Sequence, residues 1–96
     1  MDKQAVAQAS DHAMVMASRL RAARRAAGLT GDEMVKRVGC GTTVQKISNY
    51  ETGRNAPPHL FLYNLEIRVG ITASWIIAGN RASLPGWILD KMPPTS

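Results

Sequence analysis

Hydrophobic residues recur at helical spacing in five stretches of the chain, and each stretch is bounded by residues that begin or end helices. The first stretch has apolar residues at spacings of four, three and four: Met16, Leu20, Ala23 and Ala27. Asp11 is suited to the N-cap of this helix, and Gly28 to its end. Residues 1–10 lack a clear period and form either an N-terminal arm or an early turn of helix.

Two short helices are predicted to follow. Thr30 and Glu33 have the spacing of a capping box, in which each residue's side chain bonds to the other's backbone N–H. We therefore predict a second helix that continues to Val38. Thr43 is suited to the N-cap of a third helix, and Gly53 can end it in the left-handed conformation that helix C-termini favour.

The third predicted helix has one mainly apolar side and one polar side. Its inward residues at helical spacing are Val44, Ile47, Tyr50 and Glu51. Its outward residues are Gln45, Lys46, Ser48 and Asn49. A face of amide, hydroxyl and amine groups can hydrogen-bond to base edges in the major groove, although most polar helix faces are simply solvated.

The fourth predicted helix extends from Pro58 to Val69 and carries two apolar rows. One row, which suffices for a core, is Leu62, Leu65 and Val69. The other is Leu60, Tyr63 and Ile67. A second apolar row indicates that something else covers this helix, either the C-terminal tail or another subunit.

A short fifth helix is predicted between Thr72 as N-cap and Gly79 as C-cap. The tail, residues 81–96, is too apolar for a disordered end. Its most apolar stretch is Trp87, Ile88 and Leu89. We expect the tail to dock on its own domain or on a partner.

The net charge of +5 is concentrated in one part of the chain. Residues 17–55 hold eight basic and three acidic residues, whereas basic and acidic residues cancel in the remainder. The excess therefore surrounds the third predicted helix. Such a distribution is typical of a surface that binds a polyanion.

Several classes of protein are disfavoured. The single cysteine, Cys40, excludes a disulfide framework and a multi-thiolate zinc site and favours a reducing, cytoplasmic setting. No stretch approaches the ~20 apolar residues of a membrane span, and the N-terminus lacks a signal-peptide pattern. No catalytic set has a suggestive spacing, so we expect a protein without enzymatic activity, cofactor or metal.

The pattern resembles the lambda-repressor/Cro-like helix-turn-helix family, also called the xenobiotic-response-element family. The resemblance covers residues 16–80. It is carried by RLRAARRAAGLT at 19–30, ISNYETGRNAP at 47–57 and VGITASWIIAG at 69–79. It implies an all-α, compact five-helix DNA-binding domain over residues 11–80, whose third helix lies in the major groove.

The resemblance also implies roles for individual residues. Those in base-contacting positions are Val44, Gln45, Lys46 and Asn49. Those in phosphate-contacting positions are Thr30, Gly31, Thr43, Arg54 and Asn55. Arg24 and Glu51 correspond to a pair that forms a salt bridge between the first and third helices of relatives, which gives them a structural role.

Three features depart from the family pattern. Gly31 stands where relatives usually have a phosphate-contacting glutamine, so only its backbone N–H can serve. The turn through residues 39–41 is two residues longer than usual, which can rotate the third helix. Val44 is apolar where many relatives have a polar side chain that contacts a base. It either contacts a thymine methyl group or packs against the protein.

We therefore expect a transcriptional regulator, specifically a phage- or prophage-type repressor. It is expected to bind an inverted-repeat operator as a homodimer. The alternative is an antitoxin that holds a toxin protein and regulates its own operon. The expected dimer or partner surface consists of Leu60, Tyr63, Ile67, Trp87, Ile88 and Leu89. Single-stranded RNA binding is disfavoured, because the basic region has only Tyr50 as an aromatic platform.

Overall fold

The computed structural model describes the backbone of residues 3–94 and the side chains of residues 11–94. Within residues 3–94 the chain forms six α-helices, one 3-10 helix and no β-strand. The α-helices are α1 (Lys3–Ala26), α2 (Gly31–Val38), α3 (Val44–Glu51), α4 (His59–Val69), α5 (Ala73–Ala78) and α6 (Gly86–Leu89), and the 3-10 helix is Arg81–Ser83. None of these helices is both long enough and apolar enough to span a membrane. The all-α prediction is confirmed.

The first helix begins earlier than the sequence pattern indicated. It starts at Lys3, so the prediction that Asp11 caps its N-terminus is wrong. Residues 3–10 are rich in alanine and glutamine, which favour helix through backbone propensity without any apolar period. Of the expected arm at residues 1–10, residues 1 and 2 lie outside the described chain and the remainder belongs to α1.

The predicted caps define α2 and α3. The Thr30 hydroxyl accepts a bond from the Glu33 N–H at 3.1 Å, and the Glu33 carboxylate accepts one from the Thr30 N–H at 2.9 Å. Hydrogen bonding to Thr30, chiefly to its backbone N–H, lowers the pKa of the Glu33 carboxyl group. At α3, the Thr43 hydroxyl accepts from the Lys46 N–H at 3.1 Å. Both helices therefore begin where the sequence predicted.

Gly53, the second residue after α3, has a left-handed backbone conformation with φ of 77°. A Cβ atom at this position would lie 2.5 Å from the sulfur of Met14 in α1. Glycine is therefore required for its backbone conformation, whereas the exposed Met14 side chain could move to admit a Cβ atom.

The start of α4 differs by one residue from the prediction. Pro58 has an extended backbone and occupies the N-cap, so His59 is the first helical residue instead of Pro58. Gly70 ends α4 in the left-handed conformation, as expected. The fifth helix has the predicted caps, since Thr72 accepts from the Trp75 N–H and Gly79 follows Ala78.

One hydrophobic core joins the helices. The long α1 packs against α3, α5 and α6, while α2 packs against α3 and α4. The largest completely buried side chains are Leu20, Met34, Val38, Phe61, Leu65, Ile71, Trp75, Ile76 and Ile88. The indole N–H of Trp75 is also satisfied, because it donates to the Arg19 carbonyl at 2.9 Å.

The C-terminal tail packs on its own domain. Leu84, Ile88 and Met92 are buried in the common core, and the sixth helix that carries Ile88 was not predicted. The four-residue α6 is too short to show a helical period in the sequence. Ile88 had been assigned to the dimer or partner surface, and this assignment is wrong because none of its side chain is exposed.

We predict that Ile88→Ala lowers the free energy of unfolding by about 2–5 kcal/mol, because it removes buried methylene groups from the core. Ile77→Ala is the matched control, since the Ile77 side chain on α5 is 46% exposed. Urea unfolding at low micromolar concentration measures both variants. Equal stabilities of the two variants would show that the tail does not belong to the core.

Candidate nucleic-acid interface

The segment between α2 and α3 makes a tight reversal. Gly39, Cys40 and Gly41 have φ values of 66°, 48° and 75°, all in the left-handed region. The Thr42 N–H then donates to the Gly39 carbonyl at 2.9 Å. The two glycines accept this geometry without a Cβ penalty, which directs the chain from α2 into α3.

Four side chains of α3 were expected to contact bases. Val44 is 47% exposed, Gln45 and Lys46 are exposed, and Asn49 is half-buried. The Gln45 side-chain Nε2 donates to Asn49 Oδ1 at 3.1 Å. The structure therefore places Gln45 and Asn49 together on the outer face, one helical turn apart.

The other two expected base readers lie at the N-terminal end of α3. The ammonium group of Lys46 donates to the Gly41 carbonyl at 3.4 Å, so it reaches back toward the preceding turn. A methyl carbon of Val44 lies 3.9 Å from the position that a Cβ atom would take at Gly31. Val44, at the N-terminus of α3, therefore lies beside the N-terminus of α2. The prediction that it faces inward is wrong, because it is 47% exposed.

The five residues expected to contact phosphate occupy three places around α3. Thr30 and Gly31 begin α2, Thr43 caps α3, and Arg54 and Asn55 follow its C-terminal end. The two helix N-termini direct unpaired backbone N–H groups outward, where they can bind anions. The Asn55 N–H is already paired with the Asn49 carbonyl at 3.2 Å, which holds the loop against α3.

A two-point ion pair joins α1 to α3. Arg24 Nε lies 2.7 Å from Glu51 Oε2, and Arg24 Nη2 lies 3.0 Å from Glu51 Oε1. Hydrogen bonding to Glu51 raises the pKa of Arg24. Arg24 Nη1 also donates to the Leu29 carbonyl at 2.9 Å, so the same guanidinium holds the loop that leads to α2.

Arg21 adds a contact that sequence reasoning missed. Its Nη2 donates to the backbone carbonyl of Glu51 at 3.3 Å, near the C-terminal end of α3. The sequence did indicate this contact, because Arg21 and Arg24 are three residues apart on α1 and therefore lie on the same face of the helix. The glutamate is only 8% exposed, so both arginines act on an almost buried group.

The basic residues counted in the sequence do not all belong to the surface around α3. Arg19 donates to the carbonyls of Ile76 and Ile77 at 3.2 and 3.0 Å, at the C-terminal end of α5. Arg24 is held by Glu51. Arg21 is 45% exposed but contacts Glu51. The other exposed basic side chains in residues 17–55 are Arg25, Lys36, Arg37, Lys46 and Arg54, and these five are the candidates for an anion-binding surface.

The expected partner surface is exposed only in part. Leu60, Tyr63 and Ile67 form an exposed row on α4, and the part of the tail that the structure describes, to residue 94, does not cover it. Trp87 is exposed too. Leu89 is partly buried and packs against the core.

No group of three histidine, cysteine or acidic side chains that could hold a metal ion is present among the described residues. Tyr50, the aromatic residue of α3, is buried and packs on Phe61 with ring centroids 4.8 Å apart. Burial raises the pKa of Tyr50. The exposed face of α3 thus consists of amide, amine, hydroxyl and methyl groups.

We predict that Arg24→Met destabilises the protein by roughly 3 kcal/mol or more, because Glu51 then remains buried without its main partner. Arg25→Met is the matched control on the exposed side of α1. Thermal and urea unfolding measure the difference. The double variant Arg24→Met/Glu51→Leu should recover much of the loss, whereas a double variant as unstable as Arg24→Met would contradict this reading of the pair.

Comparison with known proteins agrees with this arrangement. A family model described as a helix-turn-helix domain matches residues 15–63, just over half of the chain. The match begins within α1, includes all of α2 and α3, and ends within α4. No curated protein and no solved structure matches the chain.

Proposed function

Since the chain belongs to the family of helix-turn-helix domains, we propose that it is a sequence-specific regulator that binds double-stranded DNA through α3. One observation carries this proposal. The outer face of α3 presents Gln45, Asn49 and Lys46 beside the N-termini of two helices. Val44 at the start of α3 lies beside Gly31 at the start of α2. The groups proposed to contact bases and those proposed to contact phosphates therefore adjoin one another, as recognition of a duplex requires.

In the proposed complex α3 enters the major groove. The N-terminal residues of a recognition helix contact base edges, while the preceding helix crosses the backbone. Phosphates bind the first N–H groups of α2 and α3, and Arg54 holds the backbone beyond the end of α3. Gly31 contributes its N–H without a side chain.

Duplex DNA fits this surface better than single-stranded RNA. Proteins that bind single strands usually stack bases on exposed aromatic side chains. Tyr50 is unavailable for stacking, because it is 7% exposed and packed on Phe61. The exposed aromatic side chains Tyr63 and Trp87 belong to α4 and α6 instead.

We further propose that the protein acts as a homodimeric repressor. The exposed row of Leu60, Tyr63 and Ile67 on α4 supports a protein–protein contact. Two copies would then bind inverted half-sites about 34 Å apart, one turn of the duplex. A protein covering a promoter in this way blocks polymerase. An antitoxin would use the same apolar row to hold a different protein.

We predict that the protein binds a cognate duplex, selected from its own upstream DNA, some thousandfold more tightly than a scrambled duplex. Gln45→Ala/Asn49→Ala should lose this preference and keep the dependence of affinity on salt between about 50 and 200 mM, because phosphate contacts remain. Fluorescence anisotropy titrations measure both quantities.

Arg54→Ala is the complementary variant. It should weaken binding to both duplexes by a similar factor and reduce the salt dependence, because it removes one phosphate contact. If the wild-type protein binds the two duplexes with equal, weak affinity, regulation through that upstream DNA is wrong.

We predict that Ile67→Glu weakens self-association at least tenfold, because a carboxylate would be buried in the apolar contact. Val15→Glu is the control, since Val15 is an exposed apolar residue on α1. Sedimentation velocity over a concentration series gives the dissociation constants. If the wild-type chain stays monomeric both alone and on an inverted-repeat duplex, the homodimer proposal is wrong. The exposed row on α4 would then be expected to bind a different protein.

A further inference from the structure

The two amide side chains on the outer face of α3 are bonded to each other. Gln45 Nε2 donates to Asn49 Oδ1 at 3.1 Å, across one turn of the helix. Gln45 is exposed and is the second residue of α3, close to the end that would enter the groove. Asn49 lies one turn further along and is half-buried.

This bond leaves the two amides with different hydrogen-bonding capacity. An amide side chain has one carbonyl oxygen and two N–H groups. Gln45 uses one N–H and keeps its carbonyl oxygen and the other N–H. Asn49 engages one of the two lone pairs of its carbonyl oxygen and keeps both N–H groups.

Adenine matches the groups that Gln45 keeps. In the major groove adenine offers the N6 amino donor beside the N7 acceptor, whereas guanine offers two acceptors. A glutamine with one free acceptor and one free donor pairs with adenine at two points. Asn49 is the poorer of the two amides for this pairing, because one lone pair of its carbonyl oxygen is directed at Gln45 and its side chain is half-buried.

Building on the proposed function, we propose that Gln45 is the adenine reader of α3 and that Asn49 is a positioning residue that orients the Gln45 amide. Asn49 is thus not a second, independent adenine reader. A free glutamine side chain samples several rotamers and both amide orientations, and ordering it opposes binding. The bond to Asn49 fixes the orientation before DNA arrives.

The backbone around Asn49 is also held in place. Its carbonyl accepts from the Asn55 N–H at 3.2 Å and from the Thr52 hydroxyl at 3.4 Å. Asn49 therefore lies near the end of α3 whose backbone is held by these bonds, while Gln45 lies near the end that would approach DNA. The proposal predicts that both residues control the same base pair of the half-site.

The test selects duplexes from a randomised library and compares base preference position by position. The proteins are wild type, Gln45→Ala, Asn49→Ala, the double variant and Asn49→Asp. In Asn49→Asp a carboxylate oxygen can still accept from Gln45, but no donor remains. Circular dichroism verifies that each variant is folded, since Asn49 is half-buried.

We expect Gln45→Ala to reduce the preference for adenine at one base pair by about tenfold. Asn49→Ala should reduce the preference at that same base pair, and the double variant should do no more than Gln45→Ala. Asn49→Asp should retain most of the adenine preference, although its charge near the phosphates weakens total affinity. Ser18→Ala, at an exposed position of α1 outside the proposed DNA-contacting residues, should leave the preference at that base pair intact.

Two results would overturn the inference while leaving the proposed function in place. The first is that Asn49→Ala relaxes a different base pair from Gln45→Ala and the double variant relaxes both. The second is that Asn49→Asp loses the adenine preference as fully as Asn49→Ala, because the bond would then run from Asn49 to Gln45. Failure of the wild-type protein to enrich any sequence would instead reject sequence-specific binding itself.

Discussion

The position of α3 depends on the ion pair between Arg24 and Glu51. The carboxylate is almost buried and receives two hydrogen bonds from one guanidinium, while Arg21 holds the adjoining backbone carbonyl. Arg24 also bonds to Leu29, so the loop before α2 is tied to the same group. Because an unpaired buried charge is strongly destabilising, α1, α2 and α3 keep one relative orientation. The proposed DNA contact through the outer face of α3 requires that α3 be held in this fixed orientation.

Local chemistry made much of this structure predictable. The caps at Thr30, Thr43 and Thr72 and the glycines after α3, α4 and α5 are encoded within a few residues. The sequence-based prediction failed where a helix lacks an apolar period or where burial depends on residues far away in the chain. Residues 3–10 are helical through propensity alone, and the burial of Ile88 depends on a contact with the distant α1.

The candidate interface was predictable only in its residue types. Counting charge placed Arg19 with the basic surface, yet it caps the C-terminal end of α5. Spacing predicted that Gln45 and Asn49 share a face, but not which amide donates to the other. Those distinctions depend on three-dimensional contacts between helices or on side-chain orientation, and neither is visible in a linear pattern. The lambda-repressor branch of the family remains a prediction, while the helix-turn-helix assignment is confirmed.

The most direct test of DNA recognition through α3 is a map of amide chemical shifts by NMR, recorded with and without a duplex enriched by the protein. The account predicts that the largest changes fall on residues 30–31, 43–49 and 54–55, with small changes in α5 and α6. Large changes confined to the exposed row of α4 and to the tail, with α3 unaffected, would contradict it.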